Sequence, residues 1–400
     1  FILILLPWRL WARPAGLEVS GNITQDTIWD KSQSPYLVTA SLQVMDNVTL
    51  TIQAGVIVKF ADNSGLSVAN NAQLLALGTA NEPVVFTSIK DDSQGGDSNG
   101  DGGVTVPTPG IWSTLDAYGT LSTLRLQHVL VRYGRTLVEA HGHLLLQDST
   151  LEQNNYDGVY VYPNSGTAPN VTIERTVIRA NSHHSINIYG HPGTITVRDN
   201  NLEGNDGYAG ISFNQVAGAQ VTGNTITVSG DYQSGRGIIL ADSGGNNSGG
   251  NNSGGNNLLL QNNTITRTVN SKAVVGIEVQ NGQPQLNNNR INGFEVAVLL
   301  NGGYPVLVPT YSGNDFHNNE YGASIAVTGN LQGGSWVHAG GHPHFVWQTA
   351  TLEDNATLSI PSGMVLKFSP NGYLSLGAKA QLVAHGTLSE TVILTSIRDD

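Results

Sequence analysis

The stretch DSQGGDSNGDGG, residues 92–103, carries the densest set of hard oxygen donors in the chain. Asp97, Asn99 and Asp101 alternate ahead of Gly102, the D-x-N-x-D-G order of a calcium loop, in which glycine permits the sharp turn. The twelfth position is Thr108 rather than Glu, so a standard helix-flanked site is not expected, and Asp91 or Asp92 would have to supply the missing carboxylate. Calcium is the one cofactor suggested, with Asp91, Asp92, Asp97, Asn99 and Asp101 as its candidate ligands. The competing reading is a solvated acidic loop.

Histidines fall into three groups: His141/His143, His183/His184 and His338/His342/His344. A His-x-His pair on a strand puts both rings on one face, where a transition metal could sit. No third ligand stands beside any group, so solvated turn or strand histidines are expected. Tyr160, Tyr162 and Tyr189 are candidates for carbohydrate contact, because flat aromatic faces stack on sugar rings. They are also ordinary exposed strand residues. In the register developed below, the outward positions from Tyr160 through Asn187, Ser212, Ile239, Glu278 and Leu299 hold one carboxylate, not the pair that glycoside chemistry uses. Glu152, Arg179 and Glu203 read as surface charge. No catalytic residue is assigned, and a non-enzyme is the stronger expectation.

The elements that must position these residues follow from composition and period. Of the 400 residues 39% are hydrophobic, enough for a core, and only 12% are charged. Abundant Val, Ile, Thr and Asn with 48 Gly suit short strands joined by tight turns. With no Cys there is neither a disulfide framework nor a thiolate metal site. A net charge of −12 opposes binding to nucleic acid or anionic lipid. The opening FILILLPWRLW is too short to span a bilayer; residues 1–18 are expected to be a signal remnant or an N-terminal cap. The first residue is Phe rather than Met, so an earlier start to the gene product is expected.

Two periods are present. LTSIRDD (394–400) repeats FTSIKDD (86–92) at 400 − 92 = 308 residues, and residues 47–92 match 355–400 at 23 of 46 positions. The chain thus reads as an opening section 19–144 containing the acidic loop 91–103, an Asn-rich section 145–326, and the start of a second 308-residue unit at 327–400. Inside the unit the apolar anchors Leu151, Ile178, Leu202, Ile226, Ile265, Ile291 and Phe316 recur at nearly even steps, apart from the longer one between Ile226 and Ile265. That step contains the low-complexity SGGNNSGGNNSGGNN insertion at 243–257, and without the insertion it matches the others. Alternating pairs follow each anchor: Val159/Val161, Ile186/Ile188, Ile211/Phe213, Ile238/Leu240, Ile277/Val279 and Val298/Leu300. Gly158, Gly210, Gly237 and Gly276 precede four of these pairs and are expected to bend the chain into the strand. Two residues before the anchors stand Asn200, Asn224, Asn263, Asn289 and Asn314, preceded by Ser149 and Thr176; stacked coils would align them as a hydrogen-bonded amide ladder. A shorter column is Asn154, Asn181 and Asn205.

Coils of about 25 residues that bury their apolar faces only by stacking indicate an all-β, right-handed parallel β-helix. The segments TLTIQAGVIVKF, LLALGTANEPVVFTSIKDD and GGDSNGDGG resemble the opening module of bacterial right-handed β-helix repeat proteins, large exported proteins with multi-module surface chains. The coils from 145 to 330 resemble the short β-helix repeat shared with polysaccharide lyases, epimerases, adhesins and phage tailspikes. The resemblance implies an extracellular or cell-surface location and leaves the activity open, because this fold hosts many functions. The expected role is a structural or adhesive solenoid, a filament-forming protein or part of a giant tandem-repeat surface protein. Its expected partners are copies of itself or neighbouring repeat units, and a surface polysaccharide. The alternative is a carbohydrate-binding or lyase-like polysaccharide-degrading β-helix.

Overall fold

Alternation of apolar and polar side chains lets a strand bury one face only, and here each strand is covered along its edge by the next coil of chain. The computed structural model describes residues 16–399 apart from 191, 206–207, 231–232, 242–256, 281–283, 303–309, 324, 332 and 337–341. Most of the 1–18 segment, nearly all of the 243–257 insertion, and His338 lie outside the described residues. Described structure is almost wholly strand and turn, with one 3-10 turn at Lys31–Gln33.

The strands form three parallel ladders, one on each face of a β-helix. Face one runs through His143–Gln147, Val171–Glu174, Ile195–Arg198 and Gly218–Thr222. Face two runs through Thr150–Asn154, Val177–Asn181, Asn201–Asn205, Thr225–Val228, Thr264–Arg267 and Arg290–Asn292. Face three runs through Leu115–Ala117, Val138–Ala140, Val159–Val161, Ile186–Tyr189, Ala209–Asn214, Arg236–Ala241, Val275–Val279 and Val296–Gly302.

Each apolar column is one register of these ladders. Leu151, Ile178, Leu202, Ile226, Ile265 and Ile291 are direct neighbours in turn on face two, all fully buried. The alternating pairs from Val159/Val161 to Val298/Leu300 form the inner columns of face three. Face one contributes Leu144/Leu146, Val171/Ile173 and Ile195/Val197. Each buried aliphatic side chain contributes about 1.5–3 kcal/mol, and none could do so without the coil above or below.

The corner between faces one and two is held by side-chain amides. Asp148, Arg175, Asp199, Gly223, Asn262, Asn288 and Gly313 take positive φ, between 48° and 68°, and the next residue is the ladder residue. Asn224 shows the bonding. Its Oδ1 accepts from Asn200 N and Nδ2, both at 3.0 Å, while its Nδ2 donates to Asn263 Oδ1 and Val197 O, both at 2.9 Å. The same pattern continues through Asn263, Asn289 and Asn314, and begins at Thr176 N, which donates to Asn200 Oδ1. The left-handed residue still donates to the next coil, Asp199 N to Thr222 O for example, but the N–H of the residue after it turns out of the backbone ladder and is taken by the amide oxygen of the next coil.

Gly158 precedes its face-three strand, Gly210, Gly237 and Gly276 lie within theirs, and all four have a different purpose from bending. None has positive φ. A Cβ on Gly210 would lie 2.5 Å from Ile226 Cγ2, and one on Gly237 would lie 2.3 Å from Ile265 Cγ2. The anchor methyl of the next coil occupies the space a side chain would need.

The long repeat is visible as repeated pairing. Thr49 pairs with Gln73 and, one long period later, Thr357 with Gln381; Val58 pairs with Phe86 and Leu366 with Leu394. The two units are joined without a break by face three, where Ile325–Leu331 pairs with Val296–Gly302 on one side and His344–Leu352 on the other. Among the described residues no helix is long and apolar enough to cross a membrane.

Candidate functional site

Strand alternation buries Leu115, Val138, Val159 and Ile186 on face three, together with Ala117, Ala140, Val161 and Ile188. The residues between them face outward as the row Asp116, Glu139, Tyr160, Asn187. Two carboxylates therefore stand on successive rungs. Two positions further along lie Tyr118, His141, Tyr162 and Tyr189.

These rows form one patch. His141 Nε2 lies 3.4 Å from Glu139 Oε1 and 4.0 Å from Asp116 Oδ1. The Tyr160 and Tyr162 rings are 6.4 Å apart at 15°, and those of Tyr162 and Tyr189 are 5.2 Å apart at 35°. His141 meets Tyr162 edge-on at 5.9 Å. Asp116 Oδ1 is buried without a hydrogen-bond partner. Burial, and then the neighbouring Glu139, push the Asp116 carboxyl up to about 6, against the opposing pull of His141. The hydrogen bond to Glu139 raises His141. Tyr162 is 43% exposed, so this aromatic cluster reaches solvent beside two carboxylates and an imidazole.

Tyr160, Tyr162 and Tyr189 thus come together as the register requires, but Asp116 and Glu139 were missed. A row begun at Tyr160 leaves out the two rungs that precede it. Farther along, Glu278 is tied to Arg236 at 2.6 Å and to Asn301 and Gln280. Leu299 is not an exposed outward residue: it is buried in a small external cluster with Val275, Val296, Ala326 and Phe345. Glu152 is not surface charge either. It lies between Arg179, at 2.7 Å, and Arg132, at 3.6 Å, with an 11% exposed side chain.

The acidic loop splits the five candidate metal ligands. Asp92, Asp97 and Asp101 offer oxygens within 4.8 Å of one another. Asp92 Oδ1 and Asn99 Oδ1 are buried without hydrogen-bond partners, so this donor set fits a hard cation. Asp97 and Asp101 also order the loop, accepting from the backbone N–H groups of Gly100, Gly102, Gly103 and Val104. Asn99 Nδ2 donates to Asp101 Oδ2 at 2.8 Å, and the Lys59 ammonium anchors the loop by donating to Gly96 O at 2.6 Å. Asp91 is not part of this set. It turns inward to Arg132 Nη2 at 2.5 Å, Thr87 Oγ1 and Ser93 Oγ. Burial opposes its ionisation, but these bonds outweigh it and hold the carboxyl below the usual range.

The histidine groups also differ from expectation. His141 follows the strand Val138–Ala140, whereas His143 opens His143–Gln147 on another face, so the two do not share a strand face. His184 is buried and His183 only part-exposed, rather than both standing free in solvent. Both rings meet the fully buried carboxylate of Asp157 from the preceding coil.

Comparison with known proteins bears on the fold. A pectate-lyase-like β-helix domain matches residues 21–108, and a right-handed β-helix region matches 132–226. Protein bark beetle of Drosophila melanogaster is 38% identical over 68 residues, which is 17% of this chain and 2% of that protein's length. The A-module of mannuronan C-5 epimerase AlgE4 from Azotobacter vinelandii is similar with a TM-score of 0.38 and 16% identity, over 93% of this chain and 89% of that module.

Proposed function

Since this chain is a right-handed parallel β-helix repeat protein, we propose that it is an adhesive rod whose third face binds a polysaccharide at the patch formed by Asp116, Glu139, His141, Tyr160, Tyr162 and Tyr189. One observation carries the reading: aromatic rings on adjacent rungs lie beside two outward carboxylates and an imidazole. Tyrosine faces stack on the C–H faces of sugar rings, and the carboxylates accept from hydroxyls. Two carboxylates on a chain of net charge −12 disfavour polyanionic sugars, so a neutral or amino-bearing polysaccharide fits the patch. The rod role is supported by the unbroken ladder that joins the two repeat units. Such a role belongs at a cell surface or outside the cell.

The test is affinity electrophoresis of the whole chain through gels containing neutral, amino-bearing or uronic polysaccharides. Retardation by one of the first two classes, lost on Tyr162→Ala, is expected. No retardation by any class, or retardation indifferent to Tyr162→Ala, overturns the reading.

The raised Asp116 carboxyl beside Glu139 supports a second reading, general acid–base cleavage of the bound chain. It requires new chain ends from a retained polysaccharide and their loss in Asp116→Asn. A retained but uncut polysaccharide rejects it.

For the acidic loop we propose calcium, held by Asp92, Asp97 and Asp101. Calcium should raise the melting temperature, and Asp97→Asn should reduce that rise. A melting temperature equal in calcium and in chelator rules the site out.

A further inference from the structure

At the corner between faces two and three, the register that pairs Asn154 with Asn181 places Tyr156 and Asp157 one coil before His183 and His184. Asp157 is fully buried. Its Oδ1 receives His183 Nδ1 at 2.6 Å, His184 Nδ1 at 3.0 Å and the His184 backbone N–H at 3.0 Å, and its Oδ2 receives Asn187 Nδ2 at 3.1 Å. Tyr156 stacks on His183 at 4.6 Å and 9°, while Tyr208 from the following coil meets the same ring edge-on at 4.5 Å.

We propose that Asp157, His183 and His184 form a site for a divalent transition-metal ion of the zinc class, linking two successive coils. Their donor atoms already lie within 4.8 Å of one another. Zinc–nitrogen and zinc–oxygen bonds of about 2.0–2.2 Å put neighbouring donors of a tetrahedral ion roughly 3.3 Å apart. To reach that spacing, the observed Nδ1–oxygen separations of 2.6 and 3.0 Å must open by about 0.7 and about 0.3 Å. Two imidazoles with one carboxylate select a borderline-soft ion over calcium or magnesium. Asn187 and the His184 N–H hold the carboxylate from behind, as outer partners do in metal sites. The His183 side chain, 20% exposed, opens the fourth position to water or an external ligand. Because a carboxylate oxygen only accepts, both Nδ1 atoms that face Asp157 Oδ1 carry a proton; a bound ion would take the place of those two protons, which would move to Nε2 or to solvent.

The test is titration of the whole chain with cobalt(II), followed by its visible absorption, and with zinc by calorimetry. Low-coordinate cobalt bands at a single site per chain, with zinc competing, are expected. His183→Ala, at the open edge of the site, should lower affinity at least roughly tenfold with circular dichroism unchanged. His141→Ala removes the imidazole of the separate Asp116 patch and should leave affinity as it was. Asp157→Asn should abolish binding, but its buried position risks the fold, so His183→Ala decides. Absence of binding by the parent chain, or binding unaffected by His183→Ala, overturns the proposal and leaves the cluster as a hydrogen-bonded latch.

Discussion

Replacing Asn224 with alanine tests the amide column at its centre. The Asn224 side chain makes four hydrogen bonds of 2.9–3.0 Å, and the residue is 1% exposed. Alanine preserves Cβ but leaves the Asn200 N–H without its acceptor and Val197 O and Asn263 Oδ1 each short of a donor. At about 1 kcal/mol per lost bond, with a further penalty for buried groups that find no water, the loss is about 3–5 kcal/mol. Asn314 makes three such bonds and is only half-buried, so Asn314→Ala should cost about half as much. Asn224→Asp keeps the acceptor but places a carboxylate against Val197 O and Asn263 Oδ1. Its folded-state pKa is raised, so its stability falls as pH rises from the ordinary carboxylate range and recovers in acid. The assay is urea unfolding followed by circular dichroism, with hydrogen exchange at the Asn200 and Asn224 amides, because stacked coils need not unfold as one unit. If Asn224→Ala costs under about 0.5 kcal/mol, no more than Gln220→Ala on the exposed surface, the column is not a structural device.

Gly210→Ala should destabilise by about 2–4 kcal/mol, since its Cβ would meet Ile226 Cγ2 at 2.5 Å and Gly237 O at 2.9 Å; a thermal melt unchanged from the parent would contradict the close-approach argument. Asp116 titrates about 6 in the folded chain against 3.8 unfolded, so the folded state binds the extra proton and stability declines as pH rises through that window. Asp116→Asn should therefore flatten the stability profile between pH about 4 and 6 and stabilise the protein at neutral pH. A wild-type slope retained in that variant would remove Asp116 as its source. Arg132→Ala should cost about 3–5 kcal/mol, because it strands the buried Asp91 carboxylate and takes one partner from Glu152; a loss under about 1 kcal/mol would show both to be solvated.

The fold is legible in this sequence because its core repeats. Leu151 to Ile291 recur at nearly constant spacing once the 243–257 insertion is set aside, and an alternating apolar pair follows each anchor within 7 to 12 residues, so one register places every coil. Asn224 and its neighbours are legible for the same reason: a bend repeated at one position needs the same polar side chain each time. The site keeps the coil period, with Asp116, Glu139, Tyr160 and Asn187 at steps of 23, 21 and 27 residues, but its residue type changes at every rung, and the acidic loop interrupts the coil before Asp116. A register started at residue 145 cannot reach Asp116 or Glu139. Asp157 stands alone in sequence, a whole coil before His183; only the pairing of Asn154 with Asn181 brings them together. The spacing of Gly210 was readable but its reason was not, because the clashing methyl of Ile226 belongs to the next coil.

The chain has no cysteine, which permits paired spin labels at chosen positions. Arg125, Gln220 and Gln285 are exposed on face one and lie in a single register row, with Gln220 four coils and Gln285 six coils from Arg125. At about 4.8 Å per rung, labels on Arg125 and Gln220 should lie about 19 Å apart, and those on Arg125 and Gln285 about 29 Å, before allowance for label length. Electron–electron dipolar spectroscopy yielding those separations in the ratio four to six is the result the stacked helix requires. Distances that do not grow with coil number, or a broad distribution for both pairs, would contradict it.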